Sequence, residues 1–92
     1  MISRSATVAN RLGLHARAAA RFVHLASSFR AQIRVTRGTQ TMDGKSIMGI
    51  LLLAAAVGTV LTVSADGSDE QAALDALCGF IETGFGEDTC NA

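Results

Sequence analysis

Residues 59–65 read TVLTVSA, and this stretch decides the fold of the chain. Leu61, Val63 and Ala65 alternate with polar residues, which is the two-residue period of a strand with one buried face. Valine and threonine also fit a pleated, half-buried surface well. A strand that is apolar on one side needs a cover on that side and tolerates water on the other. The stretch therefore predicts a strand with one face in the core, and the neighbouring segments show what covers that face.

The segment after this strand predicts the last helix. Gly67 turns the chain, and Ser68 with Gln71 has the spacing of a capping box. Gly84 and Gly86 end the helical pattern, and we expect residues 87–92 to fray. The apolar positions of the helix recur at three- and four-residue steps, at Leu74, Leu77, Cys78 and Ile81.

The segment before the strand predicts a hairpin and a short helix. Residues 32–37 and 40–43 are two short strands around the turn Gly38-Thr39, with Ile33 and Val35 facing inward. Residues 47–53 form a short helix for which Ser46 is a natural N-cap.

The amino-terminal part repeats the order of strand and helix. Residues 3–9 predict a strand with Ala6 and Val8 on its buried side, and residues 10–13 a loop. Residues 16–29 predict an amphipathic helix. Its apolar positions are Ala19, Phe22, Val23, Ala26 and Phe29, and its opposite stripe is Arg17, Arg21, His24 and Ser28.

These elements predict one α+β domain spanning residues 1–92. Each strand has one apolar face and each long helix one apolar stripe, so a two-layer arrangement buries all of them. We expect an open-faced sandwich with the order βαββαβα, in which a four-stranded antiparallel sheet carries three helices on one face.

Composition excludes several classes of function. The 92 residues include eight basic and eight acidic side chains, and a neutral chain lacks the basic excess of nucleic-acid-binding proteins. The longest apolar run, residues 50–57, is too short to span a membrane, and no signal-peptide core is present, so we expect a cytoplasmic protein without membrane insertion. Cys78 and Cys90 are then expected to be reduced thiols. We expect no metal site, because no close pair of ligands occurs.

His15 is the candidate reactive residue, because it lies where the first long helix begins. A helix N-terminus presents unpaired N–H groups and the positive end of the helix dipole, which together form an anion site. Arg17 adds a fixed charge suited to phosphate. This arrangement would serve transient phosphorylation of the imidazole. Spacing alone leaves open a helix-capping histidine beside a solvated arginine.

Residues 44–46, Gly-Lys-Ser, form the second candidate site. A nucleotide-binding P-loop requires glycine five residues before Gly44, where Thr39 stands, so that motif is excluded. Ser46 is either only a helix cap or also a modification site at a helix N-terminus. The residues after it form an apolar group that is part core and part candidate docking patch, namely Ile47, Met48, Leu51 and Leu52.

Four motifs together resemble the HPr family, the histidine phosphocarriers of the bacterial phosphoenolpyruvate-dependent phosphotransferase system. They are GLHAR at 13–17 with the Phe22-Val23 helix, GKSIMG at 44–49, TVSADG at 62–67 and FGE at 85–87. The resemblance covers residues 4–87 in order and spacing. The sequence NRLG at 10–13 is closer to the nitrogen-regulatory branch, NPr.

The resemblance implies a role for each candidate residue. His15 would accept a phosphoryl group, on its δ1 nitrogen, from phosphorylated enzyme I and pass it to histidines of enzyme IIA domains. Arg17 would steady the group in transit, and Ser46 matches the site of a regulatory kinase and its phosphatase. The partner-binding residues would be Arg21, His24, Ile47, Met48 and Leu51. Such a protein is a carrier and not an enzyme, uses no cofactor, and is expected to be a monomer.

One position departs from the family pattern, and one alternative function remains. Ala18 stands where many relatives have proline, which leaves the helix start freer but keeps high helix propensity. The alternative is a regulatory binding module that is switched at Ser46 while His15 is idle. A metabolite-sensing domain would need a polar pocket, which no cluster in the sequence suggests.

Overall fold

The computed structural model describes residues 1–86, which form four strands and three helices. The strands are β1 (Ile2–Thr7), β2 (Gln32–Arg37), β3 (Gln40–Asp43) and β4 (Val60–Asp66), and the helices are α1 (Ala16–Ser27), α2 (Ile47–Leu52) and α3 (Glu70–Glu82). The predicted order is confirmed. The frayed tail expected at 87–92, with Glu87 and Cys90, lies outside the described residues.

The strands form a single antiparallel sheet in the order β1-β4-β2-β3. β4 is therefore an inner strand, in which Leu61 lies opposite Ala6 of β1 and Val63 opposite Val35 of β2. These four side chains are buried. Because directly opposed residues share a face, this register aligns the apolar sides of the three strands into one surface.

All three helices cover that apolar surface. α3 packs on β1 and β4, α2 lies beside β3, and α1 packs on both α2 and α3. The opposite face of the sheet carries small polar side chains, such as Thr36 and Thr41, whose hydroxyls are 3.0 Å apart. The predicted two-layer α+β sandwich is confirmed.

The core contains nearly all the positions that periodicity predicts, together with several that it did not single out, among them Ile50, Leu53 and Phe85. Phe29 is half-buried, whereas the other predicted apolar positions of α1 and α3 are buried. Phe85 is fully buried although the sequence predicted only a helix end there. Its ring makes edge-to-face contacts with Phe22 and Phe80, with centroids 6.5 and 6.0 Å apart. The chain after α3 therefore folds back into the core.

Three predicted boundaries shift by a few residues. α1 ends at Ser27 because the hydroxyl of the next residue, Ser28, donates to the Leu25 carbonyl at 2.6 Å and closes the last turn. α2 ends at Leu52 instead of residue 53. β1 and β4 each begin or end one or two residues from the predicted limits. Loop hydrogen bonds continue the pairing beyond β1, since the Val8 N–H donates to the Thr59 carbonyl.

The predicted capping box at the start of α3 is wrong. Asp69, not Ser68, is the N-cap, and its carboxylate does not bond the N–H groups of its own helix. It accepts instead from the backbone N–H groups of Arg30 and Ala31, each at 2.8 Å. Gly67 makes this approach possible, because a Cβ there would lie 2.7 Å from the Ala31 Cα. Asp69 thus ties the start of α3 to the loop before β2.

These hydrogen bonds predict that Asp69→Asn destabilises the fold and flattens its dependence on pH. The Arg30 N–H is the main cause that lowers the pKa of the Asp69 carboxyl below 3.8, with desolvation opposing it. A lowered folded pKa stabilises the protein above the unfolded value, and this contribution is lost as pH falls through the folded value. Thermal unfolding between about pH 2 and pH 7 should therefore show a weaker acid dependence in Asp69→Asn.

Asp66→Asn is the matched control for this comparison. Its carboxylate is exposed and lies 3.7 Å from the N-terminal amine, a contact of small energetic weight. An equal effect of the two substitutions would contradict the specific role of Asp69.

Candidate functional site

His15 is the residue at which the loop after β1 becomes helix α1. Its backbone is extended, with φ −84° and ψ 178°, and its carbonyl accepts the first helical hydrogen bond from the Ala19 N–H at 2.8 Å. The residue is half-buried. His15 is therefore the N-cap of α1, at the helix start where the sequence placed it, and its side chain makes no capping hydrogen bond.

The loop before His15 is held by its own hydrogen bonds. The buried Asn10 side chain donates through Nδ2 to the Gly13 carbonyl at 2.8 Å, and the Gly13 N–H donates to the Asn10 carbonyl at 3.1 Å. Gly13 has φ +66°, which glycine adopts without steric cost. These contacts hold the turn that leads the chain into His15.

The same loop is fastened to the segment that follows α2. The Leu14 N–H donates to the Ala55 carbonyl at 2.8 Å, and the Leu14 side chain is buried. A Cβ at Gly13 would lie only 2.5 Å from the Ala55 oxygen, so the two segments approach as closely as glycine allows. His15 is consequently positioned by α1 on one side and by residues 53–55 on the other.

The electrostatic environment of the α1 N-terminus favours anions. The 12-residue helix has no acidic side chain in its first turn. Arg17 is exposed in that turn, while Arg21 and His24 are exposed farther along the helix. The helix dipole and the Arg17 charge therefore act with the same sign near His15. Ala18 is fully buried, so its side chain packs into the core.

Ser46 is the N-cap of α2, and this prediction is confirmed. Its Oγ accepts from the Gly49 N–H at 3.2 Å, and its carbonyl accepts from the Ile50 N–H at 3.0 Å. The adjacent Lys45 extends away from the helix, where its Nζ donates to the Phe29 carbonyl at 2.7 Å. Ser46 is half-buried, so its hydroxyl serves the helix and lies close to the surface.

The apolar residues of α2 divide between core and surface. Ile50 is buried and Leu51 half-buried, whereas Met48 is 69% exposed and Leu52 60% exposed. Ile47 is also exposed. The exposed members, Ile47, Met48 and Leu52, are called the α2 patch below. Of the predicted partner-binding residues of α2, Leu51 is the least accessible.

Two surface features near His15 were missed by sequence reasoning. Leu12 is 71% exposed in the loop just before Gly13. An apolar residue within a predicted loop could have indicated this exposed apolar side chain. An apolar groove runs between α1 and α3, and its apolar lining is formed by Ala20, Leu25 and Phe80. Arg17, Arg21 and His24 line this groove as well, so the predicted basic stripe borders an apolar surface. The groove could not be predicted from the sequence, because it exists only through the packing of α1 against α3.

Residues 1–86 contain no group of three His, Cys, Asp or Glu side chains that could hold a metal ion. No helix in this range is long and apolar enough to cross a membrane. Cys78 is a buried free cysteine, and burial raises the pKa of its thiol. Its environment is that of a packed core side chain, as the sequence predicted.

Comparison with known proteins finds relatives that match nearly the whole chain, including the segments that carry His15 and Ser46. The family profile PTS-HPr, described as the PTS HPr component phosphorylation site, matches residues 2–83. The phosphocarrier protein HPr of Cupriavidus necator is 47% identical over 87 residues, which are 95% of this chain and 98% of that protein. The phosphocarrier protein NPr of Shewanella violacea is 40% identical over 86 residues, 94% of each chain.

Solved structures show the same fold. HPr-C-His from Thermoanaerobacter tengcongensis superimposes with a TM-score of 0.90 at 44% identity, covering 96% of this chain and 99% of that one. An HPr dimer from the same organism matches with a TM-score of 0.74 at 45% identity, covering 95% and 100% of the two chains. Relatives therefore include a dimer, and the expected monomeric state of this chain is not established by the comparison.

The sequence motifs, the sheet topology, the profile match and the identity to curated relatives all agree. The resemblance drawn from the four motifs is confirmed: the chain belongs to the HPr family of phosphotransferase-system phosphocarriers.

Proposed function

We propose that this protein accepts a phosphoryl group on His15 from phosphorylated enzyme I and delivers it to enzyme IIA domains. The observation that carries the proposal is the position of His15 as N-cap of α1 in a chain that matches a phosphorylation-site family. A side chain at this position lies beside the N–H groups of the first helical turn, which have no partner within the helix.

The N-terminus of α1 supplies electrostatic stabilisation for the transferred group. The first-turn N–H groups and the helix dipole attract the phosphoryl oxygens. Ala18 carries an N–H that a proline would lack, so every residue of this turn has a donor. Arg17 adds a charge-assisted donor that can follow the phosphoryl oxygens as they move from donor to acceptor. Positioning and electrostatics are the main sources of rate in phosphoryl transfer.

The chemical step exchanges one bond to phosphorus for another. The lone pair of a neutral imidazole nitrogen of His15 attacks the phosphorus of the donor's phosphoryl group in line with the bond that breaks. The electron pair of that broken bond stays with the donor, so no external oxidant or cofactor is needed. Transfer to an enzyme IIA histidine repeats the step with His15 as the leaving group. The backbone of His15 is already fixed, which lowers the entropic cost of alignment.

The surface around His15 is suited to short-lived docking. Arg21 extends the positive surface along α1 and the exposed His24 lies beyond it, while Ile47, Met48 and Leu51 supply apolar contact on α2. A partner with acidic residues around an apolar centre complements this arrangement. We propose these five residues as the partner-binding set, with Leu51 contributing from its half-buried position.

The proposal describes a carrier without turnover of its own. Residues 1–92 act as one domain, as a monomer and without a cofactor, between two larger enzymes. We place this relay in the cytoplasm, where a free thiol such as Cys78 stays reduced. The choice between sugar uptake and nitrogen regulation rests with the enzyme IIA that receives the group.

Ser46 is proposed as a negative regulatory site for a serine kinase and phosphatase. It lies directly before Ile47 and Met48, the exposed apolar residues proposed for docking. A phosphate at the start of α2 would be favoured by the helix dipole, so the fold would be retained. Its negative charge would repel an acidic partner at the same surface.

His15→Ala is expected to abolish phosphoryl acceptance. The residue is half-buried and its loop is held by backbone bonds, so the free energy of unfolding should change by no more than about 1 kcal/mol. Mass spectrometry after incubation with phosphoenolpyruvate and enzyme I measures acceptance, and the added phosphate should be acid-labile and base-stable. His24→Ala, at an exposed position of the same helix, is the control and should still be labelled. Labelling of His15→Ala would refute the carrier function.

Arg17→Ala is expected to slow phosphoryl transfer by several-fold to about a hundredfold, through loss of a charge-assisted contact of about 1–3 kcal/mol. Single-turnover transfer from enzyme I at saturating concentration measures the rate. Arg21→Ala removes the same charge one turn farther from His15, so it should weaken docking more than it slows the step. Equal rates in Arg17→Ala and the parent would exclude Arg17 from the mechanism.

Ser46→Asp is expected to slow enzyme I-dependent phosphorylation of His15 at low salt, with partial recovery at high salt as charges are screened. Asp is also a good N-cap, so stability should be retained. Ser46→Ala should lower the free energy of unfolding by about 1 kcal/mol through loss of the bond from the Gly49 N–H, with transfer unchanged.

A charge control separates this site from general electrostatics. Ser3→Asp introduces the same charge on β1, at a position opposite Ser64 on the polar face of the sheet, and should leave transfer unchanged. If Ser46→Asp transfers as fast as the parent at low salt, Ser46 is only a helix cap.

A further inference from the structure

Arg37 makes a contact that connects the sheet to the segment supporting His15. It is the last residue of β2 and lies two positions beyond the buried Val35, on the side of the strand that faces the helices. Its Nη1 donates to the Leu53 carbonyl at 3.1 Å. Leu53 is the fully buried C-cap of α2, so the guanidinium satisfies a carbonyl at the end of that helix.

The chain takes an unfavourable backbone conformation directly after this carbonyl. Ala54 has φ +49°, in the left-handed region that residues other than glycine rarely adopt. Its N–H donates to the Leu51 carbonyl at 3.0 Å, which closes the last turn of α2. Such a residue keeps its conformation only where the surroundings hold it. On the N-terminal side of Ala54, the hydrogen bond from the Arg37 guanidinium to the Leu53 carbonyl holds the backbone in place.

The residue on the other side of Ala54 contacts the His15 loop. The Ala55 carbonyl accepts from the Leu14 N–H at 2.8 Å, and Gly13 lies against the same oxygen. Leu14 is the residue immediately before His15. A continuous path therefore runs from the Arg37 guanidinium through residues 53–55 to the peptide that carries the imidazole.

We infer that Arg37 is a positioning residue for phosphoryl acceptance by His15. By fixing the Leu53 carbonyl, Arg37 fixes the left-handed turn at Ala54 and hence the Ala55 carbonyl that anchors Leu14. Loss of the guanidinium lets this carbonyl shift and loosens the alignment of His15 with the incoming phosphorus. The inference rests on the proposed function of His15. It adds to that function a residue of β2, whereas His15 and Ser46 lie at the N-termini of α1 and α2.

Arginine suits this role chemically. Its charge is favourable near the negative end of α2, and its N–H groups reach a buried carbonyl while the residue remains exposed. Arg34 lies on the same strand with the same charge, but it is opposed by Asp43 and Ser64 on the polar face of the sheet. The two arginines therefore share charge and strand and differ in the contact to Leu53.

Steady-state transfer from phosphorylated enzyme I to Arg37→Met tests this inference. Methionine retains an apolar stem but cannot donate to Leu53. We expect the kcat of enzyme I, measured with this variant as the phosphoryl acceptor, to fall about three- to tenfold. The KM for the acceptor should be nearly unchanged, because misalignment affects the chemical step more than docking. Hydrogen exchange of the Leu14 amide should accelerate relative to amides in β4. Arg37→Lys should restore most of the rate, since its ammonium can donate to the same carbonyl.

The controls make each result decisive. Arg34→Met should behave as the parent, and an equal loss there would overturn the inference in favour of a general charge effect. Parent-like kcat in Arg37→Met, or unchanged exchange at Leu14, also overturns it while leaving the carrier function intact. If the parent accepts no phosphoryl group and behaves as His15→Ala does, both the proposed function and the inference fail.

Discussion

The inner position of β4 is the constraint on which the rest of the structure depends. β4 pairs with β1 along one edge and with β2 along the other, and its residues Leu61, Val63 and Ala65 are buried. Because side chains alternate along a strand, a shift of the register by one residue would turn this apolar set toward water. The register therefore fixes which face the helices cover, and it leaves a polar open face on the other side.

This one-sided architecture packs α1 against α2 with opposite ends together: the segment after α2 meets the loop before α1, and Lys45 before α2 meets Phe29 after α1. His15 begins α1 and Ser46 begins α2, and the two helices pack on each other. The segment leaving α2 then supplies the Ala55 carbonyl that anchors Leu14. Local chemistry is thus provided by helix ends, whereas their mutual arrangement is provided by the layer of helices on the sheet.

The distribution of charge fits a relay better than a permanent complex. The chain is neutral as a whole, yet the exposed side of α1 carries Arg17, Arg21 and His24 beside an apolar groove. Under the proposed function, this local basic surface would guide association with an acidic partner, and the small apolar area would permit rapid release. The α2 patch lies on a helix that packs against α1, so the proposed docking residues belong to two neighbouring helices.

The sequence by itself determined the order of elements, the buried side of each strand, the position of His15 at a helix start, the N-cap role of Ser46, and the family. These features depend on periodicity and hydrogen bonds among residues that are close together in the sequence. Tertiary structure alone decided that Asp69 bonds the loop before β2, that Phe85 enters the core, and that Arg37 and Leu14 meet the exit of α2. Each of these contacts joins residues distant in sequence, so it exists only once the sheet has fixed where the helices lie.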